Sequence, residues 1–188
     1  YVFVVWYADD ALTFPYTIPA AMPNRDVAVY ARWNPAKNTQ YVVEHYQQNL
    51  NNNLYTLTDT ETLYGTTDST VSPSPKTYRG FNTPAAQNLT IRPDGSAVLR
   101  YYYTRKSYVL TFEPGAAGGD SIINRHKFGA AIHAPQMNSA GYDFAGWNAT
   151  IAATMPAENL TYQAVWTARN DTAYRVEHYL QNTSGEGY

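Results

Sequence analysis

Thr39–Asn49 reads TQYVVEHYQQN, and 133 residues further on Thr172–Asn182 reads TAYRVEHYLQN. The same spacing relates Met22-Pro23 to Met155-Pro156 and Trp33 to Trp166. Several matches at one spacing mark an internal repeat, and a repeat constrains the fold before any single element is assigned. Between the two copies Val42 becomes Arg175, whereas Tyr41, Val43 and His45 recur as Tyr174, Val176 and His178. With the period of two of a β-strand, this turns Tyr41, Val43 and His45 inward and leaves Val42, Glu44 and Tyr46 on the wet face.

Upstream, Asp26–Trp33 alternates, with Val27, Val29, Ala31 and Trp33 on one face, and reads as a half-buried strand. Tyr1–Tyr7, YVFVVWY, reads as a buried strand. Pro15, Pro19 and Pro23 rule out a long helix between the two. Gly141–Trp147, GYDFAGW, repeats this start, with Phe144 and Trp147 matching Phe3 and Trp6 at a spacing of 141. The first copy therefore carries 141 − 133 = 8 extra residues between Trp6 and Met22. An insertion of that kind belongs at a hairpin tip or loop.

Downstream, Asn49–Asn53 is a turn, and Leu54–Leu57 and Thr62–Tyr64 read as two short strands. Arg92-Pro93-Asp94-Gly95-Ser96 is a strong turn signal, followed by a strand at Val98–Thr104. Tyr108–Glu113, Ser121–Phe128 and Leu160–Trp166 read as further strands, and Pro114–Gly119 as a glycine-rich turn. The longest helical candidate, Ser121–Ala131, is interrupted by Gly129. The expected fold class is mostly β, α+β at most. Linkers at Asn34–Asn38, Arg105-Lys106 and Asn170-Asp171 divide the chain into 1–37, 38–106, 107–169 and 170–188. The first and last pieces read as parts of modules cut from a longer array.

The 188 residues carry a net charge of −2, which provides no global field for nucleic acid or an anionic membrane. Charged residues make up 15%, against about 25% in soluble domains, while Tyr alone numbers 18. Tyr suits strands and tolerates a wet sheet face. The absence of Cys excludes disulfides, Cys-ligated zinc and thiol nucleophiles. No apolar run approaches the roughly 18 residues of a membrane span. The opening residues lack the pattern of a signal peptide.

His45-Glu44 recurs as His178-Glu177 and is the most tempting catalytic pair. Strand neighbours point to opposite faces, so a half-buried, hydrogen-bonded His is the preferred reading and no catalytic residue is assigned. His126 and His133 stand alone, and no metal or cofactor site is expected. Asp9-Asp10 and Asp94-Gly95 read as turn chemistry rather than calcium ligands. Arg100–Lys106 mixes bases with aromatics, but alternation sends half of these inward, so no nucleic acid is expected. Trp6, Trp33, Trp147 and Trp166 lie among Val and Ala and read as core. Tyr30, Tyr46 and Tyr102 are the candidate ligand contacts, and Trp33, Tyr41, Trp166 and Tyr174 the candidate contacts between modules.

Three stretches, Tyr108–Gly119, Gly141–Trp147 and Met155–Trp166, resemble the Listeria–Bacteroides repeat, the B-repeat of internalin B. Phe3–Trp6 and Met22–Trp33 resemble its second half, and WYADDALTFPY its hairpin, which the second copy lacks. YVVEHYQQN, LTDTETLYGTTDSTV, KTYRGF and IRPDGSAVLRYYYTRK are similar to the mucin-binding-protein-like repeats of Gram-positive surface proteins. These resemblances imply small ubiquitin-like β-grasp modules strung along an extracellular bacterial surface or wall protein. An intramolecular Lys–Asn isopeptide bond occurs in Gram-positive surface folds. Here Lys37, Lys76 and Lys106 lie in linkers or loops, with Lys127 the exception, so none is expected.

Short linkers leave neighbouring modules little freedom, so an elongated, stiff array is expected: a non-catalytic stalk or fibre of an adhesin. Its expected partners are neighbouring repeats of the same chain and copies of itself through exposed strand edges. The alternative is a module that binds a host glycan or protein. No membrane insertion is expected.

Overall fold

The computed structural model describes residues 1–181, 183 and 185. Among them it has eleven strands, and its one helical element is a 3-10 turn at Gly115–Ala117. The mostly β expectation holds. The chain divides into two compact units, Tyr1–Lys106 and Ser107–Tyr188. The expected boundary at 37/38 falls inside the first.

The first unit opens on an antiparallel ribbon, β1 (Val2–Tyr7) against β2 (Tyr30–Asn34). Phe3 faces Trp33 and Trp6 faces Ala31, with a bulge between Phe3 and Val5. After β1 the chain folds back at once. The Ala8 N–H donates to the Phe14 carbonyl (2.9 Å) and the Tyr16 N–H to that of Trp6 (2.7 Å). The Asp9 carboxylate ties the turn by accepting from the N–H groups of Thr13 and Phe14 and from the Thr13 hydroxyl. This hairpin occupies the stretch where the first copy carries its extra residues.

β3 (Thr39–Gln48) and β4 (Tyr55–Gly65) then form an antiparallel hairpin, bulged between His45 and Tyr46. The chain crosses through a small pair, β5 (Thr70–Val71) and β6 (Leu89–Thr90). β7 (Val98–Tyr103) returns parallel to β3, giving the sheet order β4-β3-β7. The two short strands expected at Leu54–Leu57 and Thr62–Tyr64 are thus one continuous strand. The intervening Thr58–Glu61 is polar for a specific reason: Asp59 and Glu61 turn toward partners described below, while Thr58 and Thr60 face water.

The sheet's inner face carries Tyr41, Val43, His45, Leu99, Tyr101 and Tyr103, all buried, with Phe81 and Ile91. Buried tyrosines keep their hydroxyls paired. Tyr101 donates to the Pro73 carbonyl (2.6 Å) and accepts from the Gln87 N–H (3.1 Å). One ring thereby fills the core and pins two points of the crossover loop.

The second unit begins with the hairpin β8 (Ser107–Glu113) and β9 (Ile122–Lys127). β10 (Tyr142–Trp147) and β11 (Leu160–Ala168) follow, and the sheet order is β10-β11-β8-β9. β8 and β11 are central and parallel; the outer pairings are antiparallel. Phe144 faces Trp166 and Trp147 faces Ala164, with a bulge between Phe144 and Gly146. Register and bulge match those of β1 and β2. Leu110, Phe112, Ile132, Met155 and Tyr162 form the core, with Trp147, Ile151 and Leu160 packed against it.

The first ribbon departs from expectation in its burial and in where its second strand starts. Of Tyr1–Tyr7 only Tyr7 is buried, and Phe3 and Val4 are exposed. Trp33 is 54% exposed rather than core, whereas Trp166 is half-buried and its indole N–H donates to the Pro114 carbonyl (2.6 Å). Pro114 follows β8, and no strand of that kind packs on the first ribbon among the described residues. For the same reason β2 starts at Tyr30, while the equivalent of β11 would start at Val27. Thr172–Gln181, the second copy of the β3 sequence, is exposed and forms no strand; among the described residues no strand pairs with it as β4 and β7 pair with β3. The last residue of its repeat, Asn182, lies outside the described residues.

Candidate functional site

Two groups of polar and aromatic side chains lie on opposite faces of the β4-β3-β7 sheet. The inner one centres on His45, which is wholly buried. Its Nδ1 lies 2.8 Å from the Tyr103 hydroxyl and its Nε2 2.9 Å from Glu61 Oε2. A carboxylate only accepts, so Nε2 carries a proton. In the neutral imidazole Nδ1 is the acceptor and Tyr103 its donor, while the Tyr103 oxygen accepts the Lys76 backbone N–H at 2.9 Å. Burial pushes the Tyr103 hydroxyl up to about 12, keeping it a donor.

Lys76 Nζ bridges Asp59 (2.5 Å) and Glu61 (3.2 Å). The hydrogen bond from His45 holds Glu61 below its ordinary range, and that from Lys76 does the same for Asp59. The Asp59 hydrogen bond in turn raises Lys76. Among the described residues no buried side-chain nitrogen or oxygen lacks a partner. The cluster is a closed network whose imidazole has no access to solvent. It locks the crossover loop to the sheet.

Glu44 points away from His45, so the tempting pair is split across the sheet, and the His45 partner is Glu61 instead. In the tail, Glu177 meets Arg175 and Tyr179 on an exposed segment. His126 is half-buried at the end of β9, and His133 is exposed.

The outer group is a tyrosine platform. Parallel register sets Tyr46 beside Tyr102 and Glu44 beside Arg100. The Tyr46 and Tyr102 rings stack at 5.2 Å and 26°, and Tyr55 meets Tyr102 edge-on at 5.2 Å. Glu44 Oε2 accepts from the Tyr46 hydroxyl (2.9 Å) and from Arg100 Nε (2.8 Å). The Tyr46 hydroxyl oxygen, and then the Glu44 carboxylate, act as acceptors that stabilise the charged Arg100 guanidinium. Tyr102 is 47% exposed. Aromatic faces beside a fixed charged pair offer both a stacking surface and directional hydrogen bonds.

Of the candidate contacts, Tyr46 and Tyr102 come together here and Tyr30 does not; it is exposed on β2, opposite Tyr7. Tyr55 is the residue that sequence reasoning missed. Simple alternation along β4 would have put Tyr55 on the face of Asp59 and Glu61; the bulge opposite His45 and Tyr46 brings it to the outer face instead. Of the residues expected between modules, Tyr41 is buried within its own sheet, and Trp166 packs inside the second unit against Phe144 and Tyr142. Trp33 packs edge-on against Phe3, and Tyr174 is 88% exposed. In the basic-aromatic stretch, Tyr101 and Tyr103 are buried and Arg105 stacks over Phe81 at 4.9 Å.

Among the described residues no cluster of three His, Asp or Glu is arranged to hold a metal ion, and no helix is long and apolar enough to cross a membrane. Comparison with protein-family models and with curated proteins matches nothing to this chain.

Proposed function

We propose that the chain is a run of small β-grasp modules in series, from an extracellular bacterial surface or wall protein, and that its work is mechanical: a stalk or fibre that carries another domain away from the cell. The observation behind this reading is the recurrence of one ribbon twice. β1/β2 and β10/β11 share register, bulge and ring set. Phe3 lies 5.2 and 5.5 Å from Trp6 and Trp33, and Phe144 lies 5.4 Å from both Trp147 and Trp166. A second support is topology: a mixed sheet with its first and last strands parallel at the centre is the β-grasp order. The third is the motif resemblance to bacterial surface repeats. The reading assigns no reaction to the chain: the imidazole of His45 is wholly buried and both its nitrogens are engaged by Tyr103 and Glu61. Small-angle scattering tests the serial arrangement: an extended particle is expected, and a compact globule contradicts it.

A second reading is favoured by the tyrosine platform. Stacked Tyr46 and Tyr102, edged by Tyr55, Glu44 and Arg100, fit a pyranose ring whose hydroxyls pair with the charged groups. On a glycan array, a signal that disappears with Tyr102→Ala supports binding. A signal unaffected by that change removes the platform from the account.

A further inference from the structure

The two ribbons differ in what covers them. In the second unit, β8 pairs with the first half of β11, Leu110 beside Leu160 and Phe112 beside Tyr162. Shifted by the repeat spacing, those acceptor positions are Val27 and Val29. Met155, at the same spacing from Met22, is wholly buried beneath this strand, while Met22 is 81% exposed. Beside Val27 and Val29 runs an apolar groove of about 200 Å³, walled also by Tyr16, Ile18 and Met22. Val27–Val29 is in no strand, and β2 begins one residue later.

We propose that the Val27–Tyr30 edge and its groove form an acceptor site for a polypeptide β-hairpin of the Ser107–Lys127 kind. The first strand of the hairpin lies parallel to Val27–Tyr30 and puts two large apolar side chains over Val27 and Val29. The occupant is specified by the second ribbon, which holds such a hairpin at the equivalent edge with the same register and bulge. Main-chain bonding along the edge supplies affinity and the two apolar positions supply specificity. An open strand edge beside an apolar face is otherwise a route to uncontrolled pairing. The proposal rests on the match between the ribbons and not on where the protein resides, so its failure leaves the surface-protein reading standing.

The test uses the 188-residue protein and a synthetic peptide of residues 107–128. Saturable binding is expected, with hydrogen exchange at the Val27–Tyr30 amides slowed by about tenfold or more. A peptide carrying Leu110→Asn and Phe112→Asn should bind about tenfold or more weakly. Val29→Arg in the protein should abolish binding while amides of β8 and β11 exchange as before. A free hairpin loses entropy on docking, so a second arm joins residues 107–141 directly ahead of Tyr1. There Trp33 and Met22 should become buried and the Val27–Tyr30 amides protected without added peptide. The proposal is overturned if neither arm protects those amides, if Val29→Arg leaves binding intact, or if the ribbon self-associates and the peptide does not compete.

Discussion

Met22 and Met155 occupy equivalent places in the repeated sequence and opposite environments in the structure, so truncating each to Ala is an informative pair. Met155 is wholly buried in a core with Leu110, Phe112, Ile132 and Tyr162. Burying such a side chain contributes about 1.5–3 kcal/mol by transfer alone. The cavity left behind raises the cost of Met155→Ala to about 2–5 kcal/mol. A module of this size has a total stability of only about 3–9 kcal/mol at roughly 0.05–0.15 kcal/mol per residue. The substitution thus removes a large share of it. Met22, at 81% exposure, has almost nothing to lose, and Met22→Ala should change stability by less than about 0.5 kcal/mol. Native-state hydrogen exchange separates the two units: β8 and β11 amides report the second, β3 and β7 amides the first. Met155→Ala should speed exchange throughout β8 and β11 and leave β3 and β7 unchanged. Equal effects from the two substitutions, or a larger one from Met22→Ala, would refute the claim that the first ribbon is uncovered.

Tyr103→Phe removes a hydroxyl that serves both His45 and the Lys76 N–H, and each buried group left unpaired costs about 1–3 kcal/mol; the urea midpoint of the first unit should fall accordingly, and an unchanged midpoint contradicts the network. Asp59 and Glu61 are held below their ordinary values of 3.8 and 4.5, so they add stability that is present above those values and lost as pH falls through the depressed ones. The first unit should therefore weaken in acid, and Lys76→Met should flatten that dependence, read from urea midpoints across a pH series. Gly115 has φ +65°, and a Cβ there would lie 2.6 Å from the Ala164 carbonyl oxygen. Gly115→Ala should destabilise the second unit by about 1–3 kcal/mol, measured as a lower thermal midpoint.

Much of the fold was legible wherever a short-range pattern decides it. Comparing Val42 with Arg175 was enough to turn Tyr41, Val43 and His45 inward, and all three are buried. The Asp94-Gly95 turn formed as read, with Asp94 accepting from the Ser96 N–H (3.0 Å) and Gly95 at φ +74°. What escaped depends on partners distant in sequence. Alternation marks Trp33 as inward, but burial needs a strand to lie over it, and Trp33 and Trp166 have the same local pattern with different cover. The His45–Glu61 pairing depends on β4 being one bulged strand, which its run of Thr, Asp and Glu disguised. Tyr55 joined the platform for the same reason. Lys76 lies in a loop as read; what the local pattern did not show is that Asp59 and Glu61 of β4 hold its ammonium there.

The proposal that the chain is built of self-sufficient modules makes a prediction about the second unit on its own. The direct test is to express residues 107–169 alone. The account predicts dispersed amide resonances, a cooperative unfolding transition, and slowest exchange at Leu110, Phe112 and Tyr162. A fragment that remains unfolded, or folds only with residues 1–106 attached, would contradict it.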